Sequence, residues 1–167
     1  TILEGVRAFL ENKTAHKNDI IILFSDSEEL GLNGAALFVT KSNWAKEVGL
    51  VLNFEARGSA GPSYMLMEVN KGNANMVKEF TAANPSYPVS NSLMYSIYKM
   101  LPNDTDLTVF REQGKIQGFN FAFIDNHFNY HTAQDDFNHL SPKTMEHQGT
   151  YLVPLLNYFS NSDLTSL

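Results

Sequence analysis

The run Asp19–Ser25 (DIIILFS) constrains the fold more than any other stretch of this chain. It is continuous, apolar and largely β-branched, with none of the polar alternation that a strand exposed on one face would need. Such a run suits a strand covered on both faces, as strands are in a parallel sheet. A helical stretch, Asn33–Lys41, and a second apolar run, Gly49–Phe54 (GLVLNF), follow it. Strand, helix, strand is a βαβ unit, whose right-handed crossover lays the second strand parallel to the first, so both strands end on one edge of the sheet.

The rest of the chain extends this α/β pattern. Residues 1–12 carry the amphipathic spacing of a helix, with Ile2, Leu3, Val6, Phe9 and Leu10 on one side. A Gly-rich turn, Gly58 to Pro62, leads into Tyr64–Val69, which alternates weakly and reads as an edge strand. Asn73–Asn84 reads as a helix, ended by Pro85 and Pro88, and Ser92–Leu101 as the next one. Asn103–Asp106 is a polar link to a short helix, and Phe119–Ile124 (FNFAFI) is the last strand, followed by an aromatic and polar loop, Asp125–Asp136. Ser141-Pro142 has the chemistry of an N-cap and first helical residue, and the helix it opens runs to about Tyr158. One domain, residues 1–160, accounts for these elements, with 161–167 as a tail or linker.

At 167 residues there is length for one hydrophobic core, and 43% apolar against 18% charged residues describes a globular chain. A formal charge of -6, with its Lys and Arg scattered, argues against a nucleic-acid partner. The absence of cysteine removes thiolate ligands, thiol nucleophiles and disulfides together. No G-x-S-x-G elbow, P-loop or H-E-x-x-H helix is present.

In open α/β sheets ligands bind beyond the carboxyl ends of the strands. Glu28 and Glu29 follow the first run, Glu55 the second, and His131 the last. Carboxylates gathered at one edge resist ionisation unless a cation compensates them. Oxygen and imidazole donors without sulfur suit catalytic zinc, and manganese or cobalt as well. Each group also has a plainer reading. Glu28-Glu29 suits a solvated pair at a helix N-terminus, Glu55 a strand-end acid paired with Arg57, His131 a packed imidazole and Asp106 an N-cap.

The order of the surrounding motifs carries a resemblance. Ser25-Asp-Ser-Glu28-Glu29-Leu-Gly-Leu-Asn-Gly-Ala35, Asn53-Phe-Glu55-Ala-Arg57-Gly58, Thr105-Asp106 with Phe110, and Tyr130-His131-Thr-Ala-Gln-Asp135 are similar to four elements of the zinc aminopeptidase family. That family includes bacterial leucyl aminopeptidases and endoplasmic-reticulum metallopeptidases. The resemblance implies a three-layer sandwich whose mostly parallel central sheet is flanked by helices. It implies Glu28 as general base on a metal-bound water, Glu29 and His131 as ligands of one zinc, and Glu55 as ligand of a second. Asp106, Arg57, Tyr130 and Asp135 would stand beside the ligands or against the substrate, a peptide with a free N-terminus. His16, His127, His139 and His147 match nothing in the family.

The family also uses a His-x-Asp element and a metal-bridging Asp upstream of the helix that opens this chain, and neither is found here. The expectations are therefore a truncated catalytic domain that binds metal poorly and is nearly inactive alone, with an unpaired sheet edge that self-association or absent N-terminal strands would cover. The similarity to a branch with membrane-attached members points to an exported or membrane-linked parent. A peptidase-like binding or scaffold domain and a glutaminyl-cyclase-like acyltransferase are the competing functions.

Overall fold

The computed structural model describes residues 1–13, 15–100 and 104–167. Its sheet is organised around Gly118–Asp125 (β3), which lies between Val51–Ala56 (β1) and Ala60–Glu68 (β2). β1 pairs with β3 in parallel, from Val51 opposite Gly118 to Ala56 opposite Phe123, and β2 pairs with β3 antiparallel. The sheet among the described residues is thus small and mixed, not mostly parallel. The Asp19–Ser25 run forms no strand. The βαβ unit expected between that run and β1 is accordingly not formed: Ile20 packs beside Phe9 and Leu152, while Ile22 is 42% and Phe24 65% exposed. A β-branched run becomes a strand only where a ladder partner takes its N–H and C=O groups, and among the described residues it meets none.

Helices cover both faces of the sheet. Pro142–Phe159 (α6) and Ala74–Ala83 (α3) bury Tyr151, Leu155, Phe159, Met76 and Phe80 against Phe119, Phe121, Met65 and Met67. Alternation along β3 sends Phe119 and Phe121, both fully buried, into this core, and Asn120 between them to the other face. Phe121 stacks on Phe54 with ring centroids 4.9 Å apart and lies 4.9 Å from Tyr151. Ile2–Glu11 (α1) crosses α6 closely, and a Cβ at Gly5 would come within 2.3 Å of Leu152. On the opposite face Asp106–Glu112 (α5) and Asn33–Lys41 (α2) pack Leu107, Val109, Phe110 and Ala35 together with Val51.

Ser92–Met100 (α4) completes that side. Leu101 and Asn103, at the ends of the expected helix and link, lie outside the described residues. α4 and α5 are fastened to β2 by one buried carboxylate. Glu68, 4% exposed, accepts hydrogen bonds from Tyr98 Oη (2.8 Å), Thr108 Oγ1 (2.9 Å) and Arg111 Nε (2.8 Å). A charge taken that far from water persists because its oxygens are occupied by donors, one of them cationic. Ser141 and Pro142 open α6 as the N-cap and first residue. Residues 160–167 turn back onto the fold: Asn75 Nδ2 donates to Ser166 O (2.9 Å), and Leu164 and Leu167 pack against the main core.

Candidate active site

Three segments meet at the edge where β1 and β3 both end. The first is the acidic loop between the Asp19–Ser25 run and α2. Gly31 N and Leu32 N donate to Glu28 O, Asn33 N to Ser27 O, and Gly34 N to Asp26 O at 3.0 Å. Ser27 and Leu32 take left-handed backbone conformations, with φ of 60° and 59°. Only glycine fits at position 34, because a Cβ there would lie 2.4 Å from Asp26 O. The loop is therefore a closed cup tied to α2, with Glu28 and Glu29 in its wall.

The second segment is the end of β1, carrying Glu55 and Arg57. Its parallel pairing with β3 continues past the strand, as Arg57 N donates to Phe123 O (2.9 Å) and Ser59 N to Asp125 O (3.0 Å). The third is the loop after β3, held to the second by a buried bond from Asn129 Nδ2 to Ser59 Oγ (2.8 Å). Within it His131 adopts φ 58°, a left-handed conformation that costs a non-glycine residue about 1–3 kcal/mol.

These segments bring His131 Nε2 within 2.6 Å of Glu29 Oε1. Tyr130 stacks on the imidazole, ring centroids 3.8 Å apart, and so fixes its orientation. Beside this pair is a pocket of about 370 Å³. Glu28, Glu55, Asp104, Arg57 and Tyr130 form its polar wall, and Leu66, Met94, Ile97 and Ile124 its apolar one. Burial first, and then the charges of Glu29 and Asp106, push the Glu28 carboxyl above its ordinary range, against the pull of Arg57 and His131. Burial also raises Glu55, opposed by a hydrogen bond from Asn53 Nδ2 (3.0 Å) and aided by the charges of Glu28 and Asp106. Arg57 makes no ion pair with Glu55. Its guanidinium lies 6.0 Å from the centre of the Tyr130 ring. Asp135 sits in the exposed turn after His131, its amide donating to Thr132 O (3.1 Å).

Asp106 opens α5, where a helix N-terminus favours a carboxylate. It is 8% exposed, Ser25 Oγ donates to its Oδ2, and its Oδ1 is buried without a hydrogen-bond partner among the described residues. An orphaned carboxylate oxygen, two acids held above their usual pKa, and an oxygen–nitrogen pair in contact at Glu29 and His131 are in kind what a divalent cation needs. In number they fall short, since no group of three or more His, Asp or Glu among the described residues is placed to hold one ion.

Sequence reasoning missed the α4 wall of the pocket, Met94, Ile97 and Tyr98, and also His127 on its lining. No motif marks these positions: Met94, Ile97 and Tyr98 reach the strand ends through the Tyr98–Glu68 bond that holds α4 on β2, and His127 through the turn that follows β3.

The family model described as peptidase family M28 matches residues 1–156. Endoplasmic reticulum metallopeptidase 1 of Homo sapiens is 26% identical over 165 residues, covering 98% of this chain and 18% of the relative. The vacuolar membrane protease of Candida tropicalis is 30% identical over 162 residues, covering 96% of this chain and 17% of the relative. The chain thus spans less than a fifth of the length of these curated relatives. No solved structure matches it.

Proposed function

The chain belongs to peptidase family M28, a family of metallopeptidases, and on that premise we propose that its parent removes residues from the free N-terminus of peptides with the help of zinc. The observation that supports this most is the contact of Glu29 Oε1 with His131 Nε2 at 2.6 Å, with Glu28, from the same loop, lining the adjoining pocket. Glu29 and His131 would hold one ion, and Glu55 would serve a second. A divalent metal held there would supply polarisation of the scissile carbonyl and would lower the pKa of water to about 7. Glu28 takes the proton of the attacking water and hands it to the leaving amine. The wall formed by Leu66, Met94, Ile97 and Ile124 keeps bulk water from the reacting atoms, and Asp104, the lining carboxylate with no part in metal binding or proton transfer, attracts the substrate's ammonium group.

The remaining metal ligands come from residues outside this chain, which by itself turns substrate over poorly. Residues 1–160 are then one part of a catalytic domain whose complete sheet is the mostly parallel centre of a three-layer sandwich. The exposed apolar stretch Ile21–Phe24 supports this, because a parallel neighbour, from the rest of the parent or from a second copy, would cover it. A membrane-linked parent agrees with the names of the relatives, although no helix among the described residues is long and apolar enough to cross a membrane.

Three variants of the full-length protein test the reading. Glu28→Gln is expected to keep its metal content and lose turnover by a factor on the order of 100 or more. Glu29→Gln and His131→Ala are expected to lose metal by elemental analysis. Undiminished turnover in Glu28→Gln, or full metal retention in both of the others, overturns it.

A further inference from the structure

Arg57 is the lone lysine or arginine among the described residues that line the pocket, and it is half-buried. Its guanidinium forms no ion pair and no hydrogen bond with any described residue, although Glu28 and Glu55 line the same pocket. The half-buried guanidinium offers side-chain donors that no described residue takes, and the planar fork of arginine matches a carboxylate through two parallel hydrogen bonds. The Tyr130 ring 6.0 Å away limits how the guanidinium can turn, and the backbone beneath it is fixed by the bond from Arg57 N to Phe123 O. The pocket is bipolar: with Glu28 and Glu55 engaged in catalysis, Asp104 offers negative charge suited to an amine, and Arg57 offers one positive group. At about 370 Å³ it is near the small end of the about 300–1,000 Å³ typical of small-ligand sites.

We propose that Arg57 receives the free C-terminal carboxylate of a short peptide, so that the pocket reads both ends of a dipeptide whose N-terminal side chain is apolar. This rests on the peptidase reading above and goes beyond it. Family membership and an aminopeptidase reaction require only a free amine, whereas Arg57 adds a requirement for a nearby free acid. Leu66, Met94, Ile97 and Ile124 provide the apolar surface for the first side chain.

The test compares leucyl-alanine, its C-terminal amide and a leucyl-arylamide on the full-length, metal-loaded protein, together with calorimetric binding of the first two to Glu28→Gln. A charge-assisted bidentate contact corresponds to a preference of about 10- to 100-fold in kcat/KM and in affinity for the free acid over the amide. Arg57→Gln is expected to reduce that ratio to near one, and Arg57→Lys, which keeps the charge without the fork, to leave an intermediate ratio. Equal cleavage of acid and amide by the wild type, or an unchanged ratio in Arg57→Gln, overturns the role of Arg57 and leaves the peptidase reading standing. If the wild type cleaves none of the three substrates the peptidase reading fails. The calorimetric ratio then decides on Arg57 alone: a ratio near one in Glu28→Gln overturns its role, and a preference that disappears when Arg57→Gln is added supports it.

Discussion

Phe119–Ile124 in β3 and Ile20–Phe24 before the acidic loop are both short, apolar and rich in strand-forming residues. The first has a neighbour on each side and lies buried between helices, while the second pairs with nothing among the described residues and leaves Phe24 65% exposed. Composition is therefore not what separates them. A strand is stable when its backbone groups are taken by neighbours on both edges and its side chains by layers on both faces, and only β3 has all four. Each segment nevertheless leads directly into the candidate site, β3 into the His131 loop and the other run into Glu28 and Glu29.

The contrast is sharpest in stability. Phe121→Ala removes a fully buried ring that touches Phe54, Phe80 and Tyr151, and is expected to cost about 3–5 kcal/mol by denaturant unfolding. A loss under about 1 kcal/mol would mean that β3 is not the centre of the fold. Glu68→Gln, on the neighbouring strand, removes the buried counter-charge of Arg111, which keeps Glu112, and sets an amide N–H against donors, and is expected to cost about 1–3 kcal/mol. Ile22→Ala in the unpaired run is expected to cost less than about 1 kcal/mol in this chain, because Ile22 is 42% exposed. In the full-length parent the same change is expected to reach about 2–3 kcal/mol, the value for a covered side chain. Equal costs in the two contexts would show that nothing is laid over the run. The smallest perturbation is isotopic. By hydrogen exchange the amides of Phe119–Ile124 should open only with global unfolding, and those of Ile21–Phe24 at nearly the free-chain rate.

The helices were largely legible in the sequence, because capping and periodicity are local. Asn33–Lys41 and the Ser141-Pro142 start appear as read. The strand order was not, because the insertion of β3 between β1 and β2 depends on contacts between residues far apart in the chain, such as Phe121 with Tyr151. The run Asp19–Ser25 misled for a related reason, since a sequence states what a segment would bury but not whether a partner is within reach. At the site, the rule that ligands gather beyond strand ends gathers Glu28, Glu29, Glu55 and His131 at one edge, whereas the pairing of Glu29 with His131 follows only from the family resemblance, because the run ahead of Glu29 is not a strand. The orphaned Oδ1 of Asp106 and the α4 wall could not be read that way, because both are set by how α4 and α5 dock on β2.

The tied cup of Asp26–Gly34 has a mechanical consequence. Its internal bonds close onto the first turn of α2, and Ser25 is clipped to Asp106 at the head of α5, so the two glutamates ride on the helical layer. The apolar run ahead of Ser25 is held at both ends, by Asn18 on the C-terminal end of α6 and by Ser25 on α5, and presents Ile21–Phe24 between those two anchors. The surface that a further strand would meet and the loop that aims the acid pair are, in this design, separately anchored.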